Sequence, residues 1–102
     1  MVTTATVVER IESGLSAVSA EVLDLPNVAG EWDVLPDGNR TSIAVDWAHL
    51  MADYLPELDA YYRSGEMMPD QQRRYRELLE QLKGALPVIR RLDLYRPPVP
   101  LR

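Results

Sequence analysis

The first quarter of the chain carries apolar residues at alternating spacings of three and four, the repeat that gives a helix one buried face. The members of this stripe are Val8, Ile11, Leu15, Val18, Val22 and Leu25. The residue before a proline avoids the helical backbone region, so Pro26 predicts the end of this helix. The pattern therefore predicts a first helix over Thr4–Leu25.

The segment that follows Pro26 has two interpretations. Its apolar residues fit one face of a short helix that opens at Pro26, where the missing amide proton is harmless, and that contains Trp32. Alternatively, a hairpin could form across a turn at residues 36–39, with residues 41–45 as its second strand. We favour the short helix because Trp32 and Leu35 alone give too short an alternation for a strand. Both interpretations predict the turn at residues 36–39.

A second long helix is predicted over Thr41–Ser64. Its apolar arc consists of Ile43, Trp47, Leu50, Met51, Tyr54, Leu58 and Tyr61. Pro56 lies inside this run, where it removes a backbone donor and crowds the preceding turn, so we expect a kink or a restart just after Leu55. Gly65 is suited to end the helix in the left-handed conformation.

The last helix is predicted to begin at Pro69, a residue favoured at the first helical position. Its apolar arc consists of Tyr75, Leu78, Leu79, Leu82, Leu86 and Ile89. Gly84 and Pro87 lie close together and predict a second kink or a break near Leu86. From Leu94 onward the chain is rich in proline and is predicted to be extended.

Together these elements predict an all-α protein, a small helical bundle of three main helices. A short helix near Trp32 and an extended proline-rich C-terminal arm complete it. Short links favour antiparallel neighbours, so we expect the two later helices to be antiparallel. The predicted organisation is one helical domain at residues 1–93 and the arm at residues 94–102. The predicted core contains Trp32, Trp47, Leu50, Tyr54, Leu58, Leu78, Leu82 and Leu86.

Composition narrows the chemistry available to the chain. Among its 102 residues, 46% are hydrophobic and none is cysteine, which excludes disulfides, thiol nucleophiles, iron–sulfur clusters and cysteine-bound zinc. The N-terminal sequence lacks the basic and apolar regions of a secretory signal. No stretch approaches the roughly 18 apolar residues of a membrane-spanning helix. We therefore expect a cytoplasmic protein with no membrane partner.

The charge is divided unevenly along the chain. Residues 1–60 carry eleven acids and two bases, a net charge of −9, whereas residues 61–102 carry nine bases and five acids, a net charge of +4. In a compact domain these halves can neutralise each other, and each exposed ion pair then contributes about 0 to 1 kcal/mol to the stability of the fold. Alternatively, they can present opposite patches to a partner and steer its association.

One set of side chains could bind a metal ion. Asp46, His49, Asp53 and Glu57 follow at spacings of three and four and therefore share one side of the second long helix. We call them the His/carboxylate stripe. Helical bundles build metal sites from such residues, but they take ligands from several helices. A solvated polar flank is the favoured interpretation, a metal-dependent helical-bundle enzyme is the alternative, and no catalytic residue or cofactor is predicted.

Basic residues near the C-terminus suggest a second alternative, a regulator associated with nucleic acid. This arginine ridge comprises Arg63, Arg73, Arg74, Arg76, Lys83, Arg90 and Arg91. Tyr61, Tyr62 and Tyr75 lie where they could stack on bases. The isoelectric point near 4.7 opposes binding to phosphate, which depends on positive fields, so nucleic acid is not an expected partner.

The arm and the first helix are the candidate contact surfaces. The predicted interaction residues of the arm are Tyr95, Pro97, Pro98, Pro100 and Leu101. Pro97, Pro100 and Arg102 match a proline-rich ligand pattern, and an extended arm can also be exchanged between subunits. We therefore expect a small soluble, non-catalytic interaction or regulatory domain that binds a protein partner or self-associates as a homodimer.

Overall fold

The computed structural model describes residues 4–101, and within that range it contains helices and no strands. Four α-helices follow in order: α1 at Thr4–Glu31, α2 at Asp37–His49, α3 at Leu55–Ser64 and α4 at Pro69–Arg91. A 3₁₀ turn at Trp32–Val34 follows α1, and a π-helical turn at Leu50–Tyr54 joins α2 to α3. The prediction of an all-α bundle is confirmed. No helix within the described range is long and apolar enough to cross a membrane.

Contacts between side chains define the direction of each helix in the bundle. Near the start of α1, Glu12 contacts Arg74 near the start of α4, whereas Pro26 lies beside Val88 near the end of α4. Helices α1 and α4 are therefore parallel. Arg10, near the start of α1, pairs instead with Glu57 in α3. Glu57 belongs to the C-terminal part of the continuous helical run that α2, the π turn and α3 form. That run is antiparallel to both α1 and α4.

Helix α1 does not end before Pro26, so its predicted end at Leu25 is wrong. The helix continues for another turn and a half to Glu31, with Pro26 on its exposed side. Because the helix continues, Val28 and Trp32 pack against the buried core. This packing outweighs the missing hydrogen bond at Pro26. The separate short helix expected near Trp32 is therefore reduced to the 3₁₀ turn.

The predicted turn at residues 36–39 is the first turn of α2. Pro36 is extended, with a ψ angle of 151°, and its carbonyl accepts hydrogen bonds from the backbone amides of Asn39 and Arg40. Asp37 carries a negative charge in this first turn, which suits the positive end of the helix dipole. The helical run therefore begins at Asp37 instead of Thr41.

The irregularity expected near Pro56 takes the form of the π-helical turn. The Leu55 amide donates to the Leu50 carbonyl five residues earlier, and α3 then continues with Pro56 in its first turn. A proline in a regular helix cannot donate and crowds the carbonyl four residues earlier. The wider π turn places this change immediately before the proline.

The π turn also changes which residues face the core. An extra residue in the turn rotates everything after it by roughly 100° relative to a regular helix. Leu55 is completely buried and Leu58 is nearly so, whereas Tyr54, predicted in the core, is 36% exposed. The predicted arc therefore failed at Tyr54, within the π turn, whereas Leu58 and Tyr61 beyond it contact the core as predicted. Of the other predicted core residues, Trp47, Leu50, Leu58, Leu78 and Leu82 are buried and Trp32 and Leu86 are half-buried.

Helix α4 continues past Pro87 to Arg91, so the break predicted near Leu86 is absent. Pro87 is exposed, and Ile89 and Leu92 beyond it are buried. The helix ends in a Schellman motif with Asp93 in the left-handed conformation, at a φ angle of 56°. The amides of Asp93 and Leu94 donate to the carbonyls of Arg90 and Ile89. Gly65 occupies the equivalent position after α3, at a φ angle of 80°.

The arm folds back onto its own bundle. Leu94 is buried, and Val99 and Leu101 pack against the core. The indole of Trp47 donates a hydrogen bond to the Tyr95 carbonyl. Leu94, Val99 and Leu101 of the arm are thus used within the same chain.

Candidate functional site

The His/carboxylate stripe lies on the outside of the bundle, where three of its four members form separate pairs. His49 Nδ1 is 2.6 Å from Asp53 Oδ2, and both side chains are about 60% exposed. Glu57 is 2.5 Å from Arg10 Nη2, and Asp46 is exposed on α2. In the described part of the chain, no three His, Cys, Asp or Glu side chains converge closely enough to hold a metal ion. The predicted spacing is present, but the other helices bring no ligands to it.

Part of this stripe borders a polar groove of about 460 Å³ between α1 and α3. Asp53 and Tyr54 from the π turn line it, together with Arg10 from α1. At its floor the helices approach closely, because a Cβ atom on Gly14 would lie 3.0 Å from Leu58 Cδ2. The Arg10–Glu57 pair crosses the groove and joins its two walls.

A buried glutamine connects α1 to α4, which the sequence pattern did not predict. Gln71 is fully buried, and its Nε2 donates to Glu12 Oε2 at 2.8 Å. Arg74 Nη1 contacts the other Glu12 oxygen at 2.7 Å. These two hydrogen bonds lower the pKa of Glu12 below its ordinary value. Gln71 Oε1 also accepts from the Met68 amide at 3.0 Å, an N-terminal capping contact. A glutamine three residues after a helix cap was the sequence signal available for it.

Tyr75 links α4 to α3. Its hydroxyl donates to Asp59 Oδ1 at 2.9 Å, and Arg63 Nε contacts the other Asp59 oxygen at 2.7 Å. Burial, followed by this hydrogen bond to Asp59, raises the pKa of Tyr75 well above its ordinary value. Tyr75 therefore acts as a neutral donor inside the bundle.

The arginine ridge is partly neutralised by acids of the same chain. Arg63 pairs with Asp59, Arg74 pairs with Glu12, and Arg73 contacts Asp70 and Glu77. The remaining members, Arg76, Lys83, Arg90 and Arg91, are exposed and make no ion pair with any residue in the range 4–101.

The tyrosines that were candidates for stacking on bases are not free for that role. Tyr75 is fully buried, and Tyr62 packs against it with ring centroids 5.0 Å apart. Tyr61 and Tyr62 are half-buried and pack against the core. An exposed aromatic ring is needed to stack on a base, so the ridge offers charge without a stacking platform.

The predicted interaction residues of the arm differ in exposure. Tyr95 is 47% exposed, and Pro98 and Pro100 are also exposed. Pro97 and Leu101 are half-buried against the bundle. Arg102, which completes the proline-rich pattern, lies outside the described residues.

A further surface, which the sequence analysis did not single out, runs along the side of the parallel helices α1 and α4. We call it the α1/α4 face and define it by Ser16, Ser19, Ala20, Leu23 and Pro26 of α1 with Gln81, Gly84, Ala85 and Val88 of α4. Two depressions of about 270 and 440 Å³ lie along it and share Leu23 and Gln81, so they form one continuous groove. Leu23 stands in the middle of the groove and is 65% exposed.

Arg74 and Glu77 of α4 also line the larger depression, and the other residues that line the α1/α4 face are uncharged. In α1 the eight residues between Glu12 and Glu21 are all uncharged, although 26% of the whole chain is charged. On α4, Lys83 is the single charge between Glu80 and Arg90. An exposed leucine in a groove with few charged residues is a feature of surfaces that bind other proteins.

Comparison with known proteins gives no relative for this chain: no protein-family model, curated protein or solved structure matches it.

Proposed function

We propose that this protein is a non-catalytic interaction domain and that its contact surface is the α1/α4 face. The observation that carries the proposal is the 65% exposure of Leu23 within a continuous groove whose lining is mostly uncharged. Fully burying a leucine side chain contributes about 1.5 to 3 kcal/mol, and Leu23 makes little use of that energy within its own bundle. A second protein chain seated on the groove would bury it.

The other candidate surfaces give less support to a binding role. Exposed side chains of the His/carboxylate stripe are engaged in pairs within the chain, such as His49 with Asp53. The apolar side chains of the arm, Val99 and Leu101, pack on the same bundle. In the α1/α4 face Leu23 is 65% exposed, compared with 47% for Tyr95, the most exposed large hydrophobic residue of the arm.

Site-specific photo-crosslinking tests this proposal without knowledge of the partner. The photoreactive residue p-benzoylphenylalanine replaces Leu23 in the full chain, which is then expressed in cells and irradiated. We expect a discrete covalent adduct with another protein chain. Val34 and Val45 provide matched control positions, because they are also exposed hydrophobic residues, at 81% and 62%, and lie outside the α1/α4 face. An absence of adduct at Leu23, or equal adducts at all three positions, would contradict the proposal.

A further inference from the structure

A row of unpaired bases follows one side of helix α4. Arg76, Lys83 and Arg90 are exposed, and none of them forms an ion pair with another residue in the range 4–101. Their spacing of seven residues is two helical turns to within about 20°, and it separates neighbouring members by about 10.5 Å along the axis. We call these three residues the basic row.

Two leucines follow the same repeat beside the basic row. Leu79 and Leu86 are half-buried, pack against the core and lie three residues after Arg76 and Lys83. In coiled coils, leucines seven residues apart contact a second helix, and the charges beside them select which helix is accepted. Helix α4 therefore keeps part of this pattern on the outside of its own bundle.

The first member of the basic row opens onto a groove. Arg76 lines a groove of about 740 Å³ between α3 and α4, and Tyr62, Leu79 and Pro100 supply its apolar lining. An apolar side chain of a peptide fits such a lining beside the Arg76 charge. A phosphate backbone has no apolar side chain to place there, so the groove favours a peptide over nucleic acid as its occupant.

Two acids also line this groove. Asp59 is engaged by Arg63 and by the Tyr75 hydroxyl, so its charge is used within the chain. Glu80 forms no ion pair with another residue in the described range. Glu80 lies about 60° around α4 from the basic row, on the side away from Leu79. The row itself therefore presents positive charge without an acid between its members.

We propose that the basic row binds an acidic helix of another protein, which lies along α4 and inserts an apolar side chain into the groove beside Arg76. The proposal rests on charge complementarity in register. Two helices that lie side by side have the same rise per residue, so carboxylates seven residues apart on the partner match the interval of about 10.5 Å between the bases. Ala85 of the α1/α4 face is about 160° around α4 from the row, so this is a second contact surface and does not depend on the first.

Two synthetic peptides of about 21 residues test the proposal with the full chain. Both are alanine-based helices in which leucine and glutamate each recur at every seventh residue. In the matched peptide the glutamates lie beside the leucines, and in the control peptide they lie on the opposite side of the helix. Fluorescence anisotropy at about 50 mM salt measures binding, and we expect the matched peptide to bind at least about fivefold tighter.

Three variants test which residues of α4 the peptide contacts. Arg90→Gln should weaken binding of the matched peptide about two- to fivefold. Arg91→Gln is the matched control, because Arg91 is also exposed and unpaired in the described range but points about 100° away, and it should bind nearly as well as the natural chain. Glu80→Gln removes a repelling charge and should tighten binding, a gain that loss of structure cannot produce. Circular dichroism establishes that each variant is folded.

The same measurements identify other occupants. A DNA duplex of about 20 base pairs that binds more tightly than the matched peptide would assign the row to nucleic acid. Self-association of the chain that Arg90→Gln weakens, measured by sedimentation, would assign it to a second copy. Either result overturns the acidic helix as the partner. Equal binding of the two peptides, equal effects of Arg90→Gln and Arg91→Gln, or no binding at about 1 mM peptide overturns it as well.

Discussion

The indole nitrogen of Trp47 in α2 donates a 2.8 Å hydrogen bond to the backbone carbonyl of Tyr95 in the arm. Trp47 is only 2% exposed, so its N–H group requires a partner inside the protein. The arm supplies that partner, and its carbonyl closes one side of the core. The burial of the Trp47 indole, in the middle of the chain, therefore depends on a carbonyl that the C-terminal arm brings to it.

Substitutions at Trp47 separate its packing from its hydrogen bond. Trp47→Ala should lower the free energy of unfolding by about 3 to 5 kcal/mol, because it removes a large buried ring. Trp47→Phe keeps much of the ring and loses the donor, and should lower it by about 1 to 3 kcal/mol. Urea denaturation measures both values. Equal stability of Trp47→Ala and the natural chain would contradict the assignment of Trp47 to the core.

Removal of the arm should destabilise the bundle. A chain that ends at Asp93 loses Leu94, Val99 and Leu101 from their packing positions and leaves the Trp47 indole without its acceptor. We expect a lower melting temperature with retained helicity, measured by circular dichroism. Pro98→Ala is a control within the arm, because Pro98 is exposed, and it should melt close to the natural chain. Equal melting temperatures for the truncated and full chains would show that the arm does not contribute.

Asp93 is a position where a glycine should stabilise the protein. Its φ angle of 56° lies in the left-handed region, which is unfavourable for a residue with a side chain. Asp93→Gly should therefore raise the free energy of unfolding by about 0.5 to 1 kcal/mol. Gly65→Ala, at a φ angle of 80°, introduces the reverse change and should lower it by about 1 kcal/mol. Chemical denaturation of both variants tests the pair, and a destabilised Asp93→Gly would indicate a side-chain role at this position.

Two glutamates should respond to acid in opposite directions. Hydrogen bonds from Arg74 and Gln71 lower the pKa of Glu12, so its ionised form stabilises the native state above the ordinary glutamate pKa. That contribution is lost as the pH falls through the lowered native value. Burial, followed by nearby acids, raises the pKa of Glu21. Ionised Glu21 therefore destabilises the native state at neutral pH, and the penalty is relieved as the pH falls through the raised native value.

Glutamine variants at the two positions test this difference. At pH 7, Glu12→Gln should lower the free energy of unfolding and Glu21→Gln should raise it. The Glu21→Gln difference should shrink as the pH falls toward the ordinary glutamate pKa of 4.5, and the Glu12→Gln difference should shrink at lower pH still. Urea denaturation from pH 3 to pH 7 measures both curves. Shifts of the same sign at pH 7 would contradict the assignment.

The sequence alone was sufficient to predict three long helical runs and which side of most of them is buried. Ile11, Leu15, Val18 and their neighbours form a stripe that only a buried helix face explains, and the structure buries it. The sequence was less informative at its prolines. Pro26 and Pro87 oppose a helix locally, and their effect depends on the side chains that a continued helix brings to the core.

The tertiary structure decided the remaining features because they depend on residues far apart in the chain. The π turn before Pro56 rotated Tyr54 outward and Leu55 inward, which no regular helical repeat could predict. The pairing of Gln71 with Glu12 and of Tyr95 with Trp47 required neighbouring helices and the arm to be in place. The α1/α4 face also arises only because two helices that are distant in sequence pack in parallel. Local periodicity therefore determined the helices, and packing between them determined the surfaces that a partner can reach.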